Sequence, residues 1–183
     1  MQPSDHDWIA DRFCSVVDAV SDWDVPTPVP EWHARDIVHH LTTWLPGLLG
    51  TCGVGLPIGV LADPVGSWHT QDAAVRRLLA ERGAEPVTHA FLGTQPIADL
   101  LAQVYLDDVF MHTWDLARAT GLDDRIDPAV CDKMVTGMAQ IDDVMRGSGH
   151  YGPRWRGNPG PDPQRRLLAF IGRDPDWRPP APS

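Results

Sequence analysis

The chain has 183 residues, a formal net charge of −10 and 43% hydrophobic residues, eight tryptophans among them. That length holds one domain with a proper core rather than two, and the composition is that of a folded globule, not a disordered chain. With 15 basic against 25 acidic residues and no basic cluster, neither nucleic acid nor an anionic membrane surface is an expected partner, whereas small neutral or cationic ligands remain open.

A first helix is expected from Ser4, a suitable N-cap, to Val20, with Ile9, Phe13, Val16 and Val17 at core spacing. Asp24-Val25-Pro26-Thr27-Pro28-Val29-Pro30 makes a stiff extended connector. A second helix spans residues 34–49, with Ile37, His40, Leu41, Trp44 and Leu48 on one face and Pro46 expected to kink it. Residues 45–62 run for eighteen positions without a charge, the crude length of a membrane span. Pro46, Pro57 and five glycines instead predict a helix end followed by an irregular loop. Gly53-Val54-Gly55 is no phosphate loop, because Gly59 falls one position late and no Gly-Lys-Ser/Thr follows.

A third helix is predicted over residues 68–82, closed by Gly83 as a left-handed cap. Thr94-Gln95-Pro96 opens a fourth, which runs to Thr120, ends at Gly121 and would be roughly 37 Å long at the helical rise. Asp127-Pro128 starts a fifth helix, expected to reach Arg146. From there residues 146–183 form a loop-rich tail with one short helix, residues 164–171, folding back through Leu167, Leu168 and Phe170. Trp155 and Trp177 in that tail are expected to cap the helices. Strand signals are scarce, so the expected architecture is all-α, a single domain built on a four-helix bundle.

Cys14, Cys52 and Cys131 are odd in number, widely spaced and free of any Cys-x-x-Cys pair, which indicates neither a disulfide framework nor a zinc ribbon. Cys14 and Cys131 read as small core residues. A reducing cytoplasm is the expected setting, and residues 1–5 lack the basic-then-apolar order of a signal peptide.

The chemistry lies in Asp108-Val109-Phe110-Met111-His112-Thr113-Trp114-Asp115 on the long fourth helix. Asp108 and His112, four apart, stack on one face together with Leu101, Val104, Tyr105 and Leu116. A carboxylate and an imidazole in an apolar stripe need partners, because burying either alone costs several kcal/mol. On the second helix His40 falls on the apolar face, whereas His39 aligns with Asp36 and Thr43 on the polar one. His40, Asp108 and His112 are therefore the expected metal ligands: two nitrogens and an oxygen that leave a coordination position open. A buried ion pair without metal is the alternative. Asp115 either orients the His112 imidazole as an acceptor or pairs with Arg118 on the helix surface. His69 sits near a helix end, and His150 lies in a loop able to close over the site.

Trp32-His33-Ala34-Arg35-Asp36-Ile37-Val38-His39-His40-Leu41 resembles the W-x-x-R-D-x-x-x-H-L signature of the mycothiol-dependent maleylpyruvate isomerase N-terminal domain family, one of the DinB-like bundles. His112-Thr113-Trp114-Asp115-Leu116-Ala117-Arg118-Ala119-Thr120-Gly121 is similar to that family's H-x-W-D-L-A-x-A-x-G. The stretch from Arg166 to Pro175 resembles the ending of a shorter-chain subgroup. The resemblance implies an antiparallel four-helix bundle holding one divalent metal, with ligands that map by motif onto His40, Asp108 and His112. It also implies thiol-dependent isomerase or S-transferase chemistry with a low-molecular-weight thiol such as mycothiol, and it allows a homodimer. Asp108 stands where the isomerase has glutamate. The isomerase carries a further C-terminal domain that would begin about where this sequence ends, so maleylpyruvate isomerisation itself is not expected.

Taken with the metal ligands, the resemblance implies the function of a metal-dependent thiol S-transferase or isomerase. Zn²⁺ is the first choice of ion, and Ni²⁺ or Fe²⁺ also suits the ligand set. The partners would be a small-molecule substrate and a thiol. The alternative is a non-catalytic, dimeric metal- or ligand-binding helical protein. Metal-dependent hydrolysis is weaker, since the sequence offers no separate general base.

Overall fold

In a computed structural model that describes residues 1–147 and 152–180, a 3₁₀ turn (Pro3–Asp5) leads into α1 (His6–Val17) and then α2 (Ala34–Thr51). Next come α3 (Pro64–Arg82), a hairpin of β1 (Pro86–His89) and β2 (Gly93–Pro96), and α4 (Ile97–Thr120). The chain ends in α5 (Pro128–Ala139), α6 (Asp142–Gly147) and α7 (Pro163–Phe170). The protein is mostly helical.

Three helices start at an aspartate–proline step. Asp63, Asp127 and Asp162 each accept backbone N–H groups of the first turn, and the proline that follows occupies a position whose N–H would have no partner. The expectation used this signal at Asp127 but not at Asp63, so α3 begins four residues earlier than residue 68. Gly121 closes α4 in the left-handed region at φ 71°, as expected of a C-terminal glycine. Gly83 does not: its φ is −55°, and the chain turns directly toward the hairpin.

A helical fold is what the all-α expectation asked for, and the hairpin is the small β addition that it did not include. Its antiparallel pairing runs from Pro86↔Pro96 to His89↔Gly93. Strands of four residues bounded by prolines carry no alternating apolar run, which is the signal sequence reading depends on. Thr94 to Pro96 belong to β2, so α4 starts at Ile97. α1 stops at Val17 rather than Val20, and the fifth helix is broken at Gln140–Ile141. There Gln140 and Ile141 donate to Gly137 and Met138, three residues back, and this tightens and ends the turn.

α1, α2, α3 and α4 share one core, and α5 pairs with α7. Ile9 and Phe13 of α1, Leu41 and Leu45 of α2, Trp68 of α3 and Trp114 of α4 are all buried there. Phe13 meets Trp68 edge-on at 4.4 Å between ring centroids, a favoured aromatic arrangement. Pro46 lies inside α2 and cannot donate to the Thr42 carbonyl, so Gly59 N–H, from the loop beyond, donates to it at 3.0 Å. Among the described residues no helix is long and apolar enough to cross a membrane.

Candidate metal centre

α4 is covered on nearly every side: from Val109 to Ala117 each residue is buried. Any polar side chain on that stretch must find its partners inside the protein. Thr113 does so by donating to the Val109 carbonyl at 2.8 Å. His112 and Asp115 do so, together with partly exposed Asp108 one residue before the stretch, by joining α2 and the segment after α7.

Asp108 is the hub. Its Oδ2 lies 3.0 Å from His40 Nε2 and accepts the Trp44 indole N–H at 2.9 Å. Its Oδ1 lies 3.5 Å from His112 Nε2. One ligand atom from each of His40, Asp108 and His112 lies within 4.8 Å of the others. The structure thus brings together the three residues expected as ligands from three turns of two helices.

Burial alone would raise the Asp108 pKa, but His112, His40 and the Trp44 N–H outweigh it and hold the carboxyl below its ordinary value. Asp115 follows the same balance more strongly. It is fully buried, which works against its charge, yet the Arg173 guanidinium and the His112 imidazole bring it down to about 2. Arg173 Nε and Nη2 donate to the two Asp115 oxygens at 2.9 and 3.0 Å, and His112 Nδ1 lies 3.0 Å from Asp115 Oδ2. Of the two roles open to Asp115, the structure has it beside the imidazole. Arg118 pairs with Asp124 instead, at 2.6 Å.

Exposure grades across the triad. The side chains of His40, Asp108 and His112 are 32%, 19% and 7% exposed, so solvent reaches it from the His40 side. Trp32 covers part of that approach, its ring 5.1 Å from His40 and stacked 5.7 Å from His112. A turn before α2 presents it: Trp32 N–H donates to the Val29 carbonyl across Pro30 and Glu31, and Glu31 stands in the left-handed region at φ 68°. Turns with proline second and a left-handed third residue ordinarily use glycine there.

Sequence reasoning missed Trp32 and Trp44 as walls of the site and Arg173 as a participant. Trp44 stands one turn from His40 on the same face, a signal that fits a core tryptophan equally well. His39, expected on the solvated face, is half-buried, and its Nδ1 has no partner among the described residues. His69 is exposed and pairs with Asp18 at 2.8 Å, away from the triad. His150, the loop histidine expected to close over the site, lies outside the described residues. Trp155 is half-buried and tied to α7 through its backbone N–H, which donates to Ala169.

The donor set fits a divalent ion. An ion about 2.0–2.2 Å from each nitrogen and oxygen keeps its donors roughly 3–4 Å apart, close to the separations already present. A hollow of about 180 Å³ walled by Trp8, Arg12, Phe110 and Asp127 does not include the triad.

No protein-family model and no solved structure matches the chain. It is similar to two proteins of Mycobacterium tuberculosis, "Uncharacterized protein Rv0738" of strain H37Rv and "Uncharacterized protein MT0763" of strain CDC 1551. Each is 31% identical to it, over 81% of this chain and 83% of the relative.

Proposed function

The chain belongs to the family of these two mycobacterial proteins, and we propose that it binds one divalent metal ion through His40, Asp108 and His112. The observation that carries this reading is the convergence of two imidazoles and a carboxylate from α2 and α4, with their ligand atoms within 4.8 Å of one another. Zn²⁺ suits mixed imidazole and carboxylate ligation, and Ni²⁺ or Fe²⁺ suits it as well.

The two His-bearing motifs support a finer reading. In it the chain is a DinB-like four-helix bundle of the mycothiol-dependent maleylpyruvate isomerase N-terminal type, acting in the cytoplasm as a homodimeric thiol S-transferase or isomerase. Its partners would be a small electrophile and a low-molecular-weight thiol such as mycothiol. A bound divalent ion lowers the pKa of a coordinated thiol, which makes a nucleophile available at neutral pH. The chain's own residues prepare the place. The Trp44 N–H occupies Asp108 Oδ2 and turns Oδ1 toward His112. Trp32 shields one side, and the exposed edge of His40 marks the direction from which a small molecule arrives.

A second reading, a non-catalytic metal- or ligand-binding protein, draws on the separation of the triad from the hollow beside Phe110, since substrates are ordinarily held in an enclosing cleft. Elemental analysis of protein purified without a histidine tag tests the metal reading directly. We expect near-stoichiometric metal in the wild type and its loss in His112→Ala. Wild-type protein that carries no metal and takes up none of Zn²⁺, Ni²⁺ or Fe²⁺ would sink it. If metal is confirmed, turnover of an electrophile that requires added thiol separates the enzyme from the binding protein.

A further inference from the structure

His112, buried Asp115 and half-buried Arg173 form a hydrogen-bonded chain that ends at the triad. Arg173 meets Asp115 with two N–H groups on two oxygens, at 2.9 and 3.0 Å. This is the planar fork-to-carboxylate match that a lysine cannot reproduce. An ionised carboxylate only accepts hydrogen bonds, and the fork holds this one with Oδ2 turned toward His112. The His112 Nδ1, 3.0 Å from Asp115 Oδ2, must therefore be the nitrogen that carries hydrogen. In a neutral imidazole Nε2 then keeps its lone pair, and Nε2 is the atom that faces Asp108 at 3.5 Å.

The backbone before Arg173 is built for this reach. Gly172 has φ +87°, and a Cβ there would sit 2.7 Å from the Pro153 carbonyl oxygen. Only glycine makes that turn without displacing backbone. Arg173 follows at once, and its side chain is 17% exposed.

We infer that Arg173 is a positioning residue that sets the His112 tautomer through Asp115, making the segment after α7 a working part of the metal centre. Its consequence for metal affinity rests on the metal reading above; its consequence for the imidazole does not. Partners one step removed from a ligand commonly contribute about 10- to 100-fold to metal affinity.

The test uses the full chain, stripped of metal by chelator and labelled with ¹⁵N. Long-range ¹H–¹⁵N correlation reads which His112 nitrogen is protonated at about pH 8, where the free imidazole is neutral. It is run on wild type, Arg173→Met and Arg173→Lys, beside Zn²⁺ affinity from chelator competition. The wild type is expected to show the Nδ1–H form. Arg173→Met should shift toward Nε2–H and bind Zn²⁺ measurably more weakly, by up to about the tenfold that a direct partner of a ligand contributes, with Arg173→Lys between. Wild-type His112 protonated at Nε2 overturns the inference, and that spectrum needs no variant to fold. Arg173→Met that melts lower yet keeps the wild-type tautomer and Zn²⁺ affinity also overturns it, since that is what a merely structural arginine gives. Wild type with the expected tautomer that takes up none of Zn²⁺, Ni²⁺ or Fe²⁺ removes the metal reading, and the tautomer in the Arg173 variants then decides the inference alone.

Discussion

The Cys131 thiol is wholly buried in α5, and burial, reinforced by the neighbouring aspartates, pushes its pKa up to about 12. Thiol reactivity follows the thiolate, so Cys131 is expected to stay unmodified by iodoacetamide in the folded protein near neutral pH. Half-buried Cys52 should be alkylated first, and Cys131 only after denaturation; peptide mass spectrometry reads the order. Early labelling of Cys131 would mean that α5 opens on its own. At this scale the sequence was legible where partners share an element. Asp108 and His112 are one helical turn apart, and His112 and Asp115 nearly so, which makes their meeting a matter of helix geometry. His40 was legible because a polar residue on an apolar face must be answered by another. Arg173 was not: it is 58 residues from Asp115, and nothing local to either shows that the tail returns to α4.

Pro46 removes one hydrogen bond from the middle of α2, and the loop beyond the helix replaces it through Gly59. The fit is close. A Cβ on Gly59 would lie 2.0 Å from Thr42 Oγ1 and 2.6 Å from Thr42 Cβ, and Thr42 is fully buried. Gly59→Ala is therefore expected to cost about 1–3 kcal/mol, as overpacking does. Gly50→Ala, in the last turns of the same helix with nothing within 4 Å, should be neutral or gain up to about 1 kcal/mol. Urea unfolding of both variants checks the pair, and equal effects would show that Gly59 is not tightly seated. The long amphipathic and capped helices could be read in advance because period and caps are local. The hairpin could not, since four-residue strands are decided by where α3 must hand the chain to α4. The break between α5 and α6 also escaped, because the apolar pattern of Val135, Met138 and Ile141 continues across it while the backbone does not.

Over the whole molecule there are 25 acidic residues and 15 basic ones, and some of the guanidinium groups join separate elements. Arg76 alone ties Asp7 and Asp11 of α1 to Asp72 of α3, though such half-exposed pairs contribute little each. The buried Asp115–Arg173 pair matters more for acid stability. Asp115 is held at about 2 against an ordinary 3.8. Folding therefore favours its ionised form, and the stability this supplies is fully present above about pH 4 and lost as pH falls through 2. A tenfold change in proton affinity is worth about 1.4 kcal/mol, so the loss from this residue is on the order of 2 kcal/mol. Urea midpoints measured from pH 5 down to pH 2 should fall; Asp115→Asn should be less stable at neutral pH and show a shallower acid-dependent decline. A variant with the wild-type slope would place the acid sensitivity elsewhere.

The His40–Asp108 contact closes a separation of 68 residues and the Asp115–Arg173 contact one of 58, which gives the centre a history as well as a geometry. At about 5–20 residues per second, synthesis delivers Arg173 on the order of ten seconds after His40. Early in that interval α2 carries an imidazole with no carboxylate to meet, and for the rest of it α4 carries a carboxylate and an imidazole with no arginine to steady them. The nascent chain thus passes through incomplete versions of its own site, and the finished arrangement appears only when the tail has folded back. Completion of the centre is in that sense a record that the segment after α7 has docked on α4.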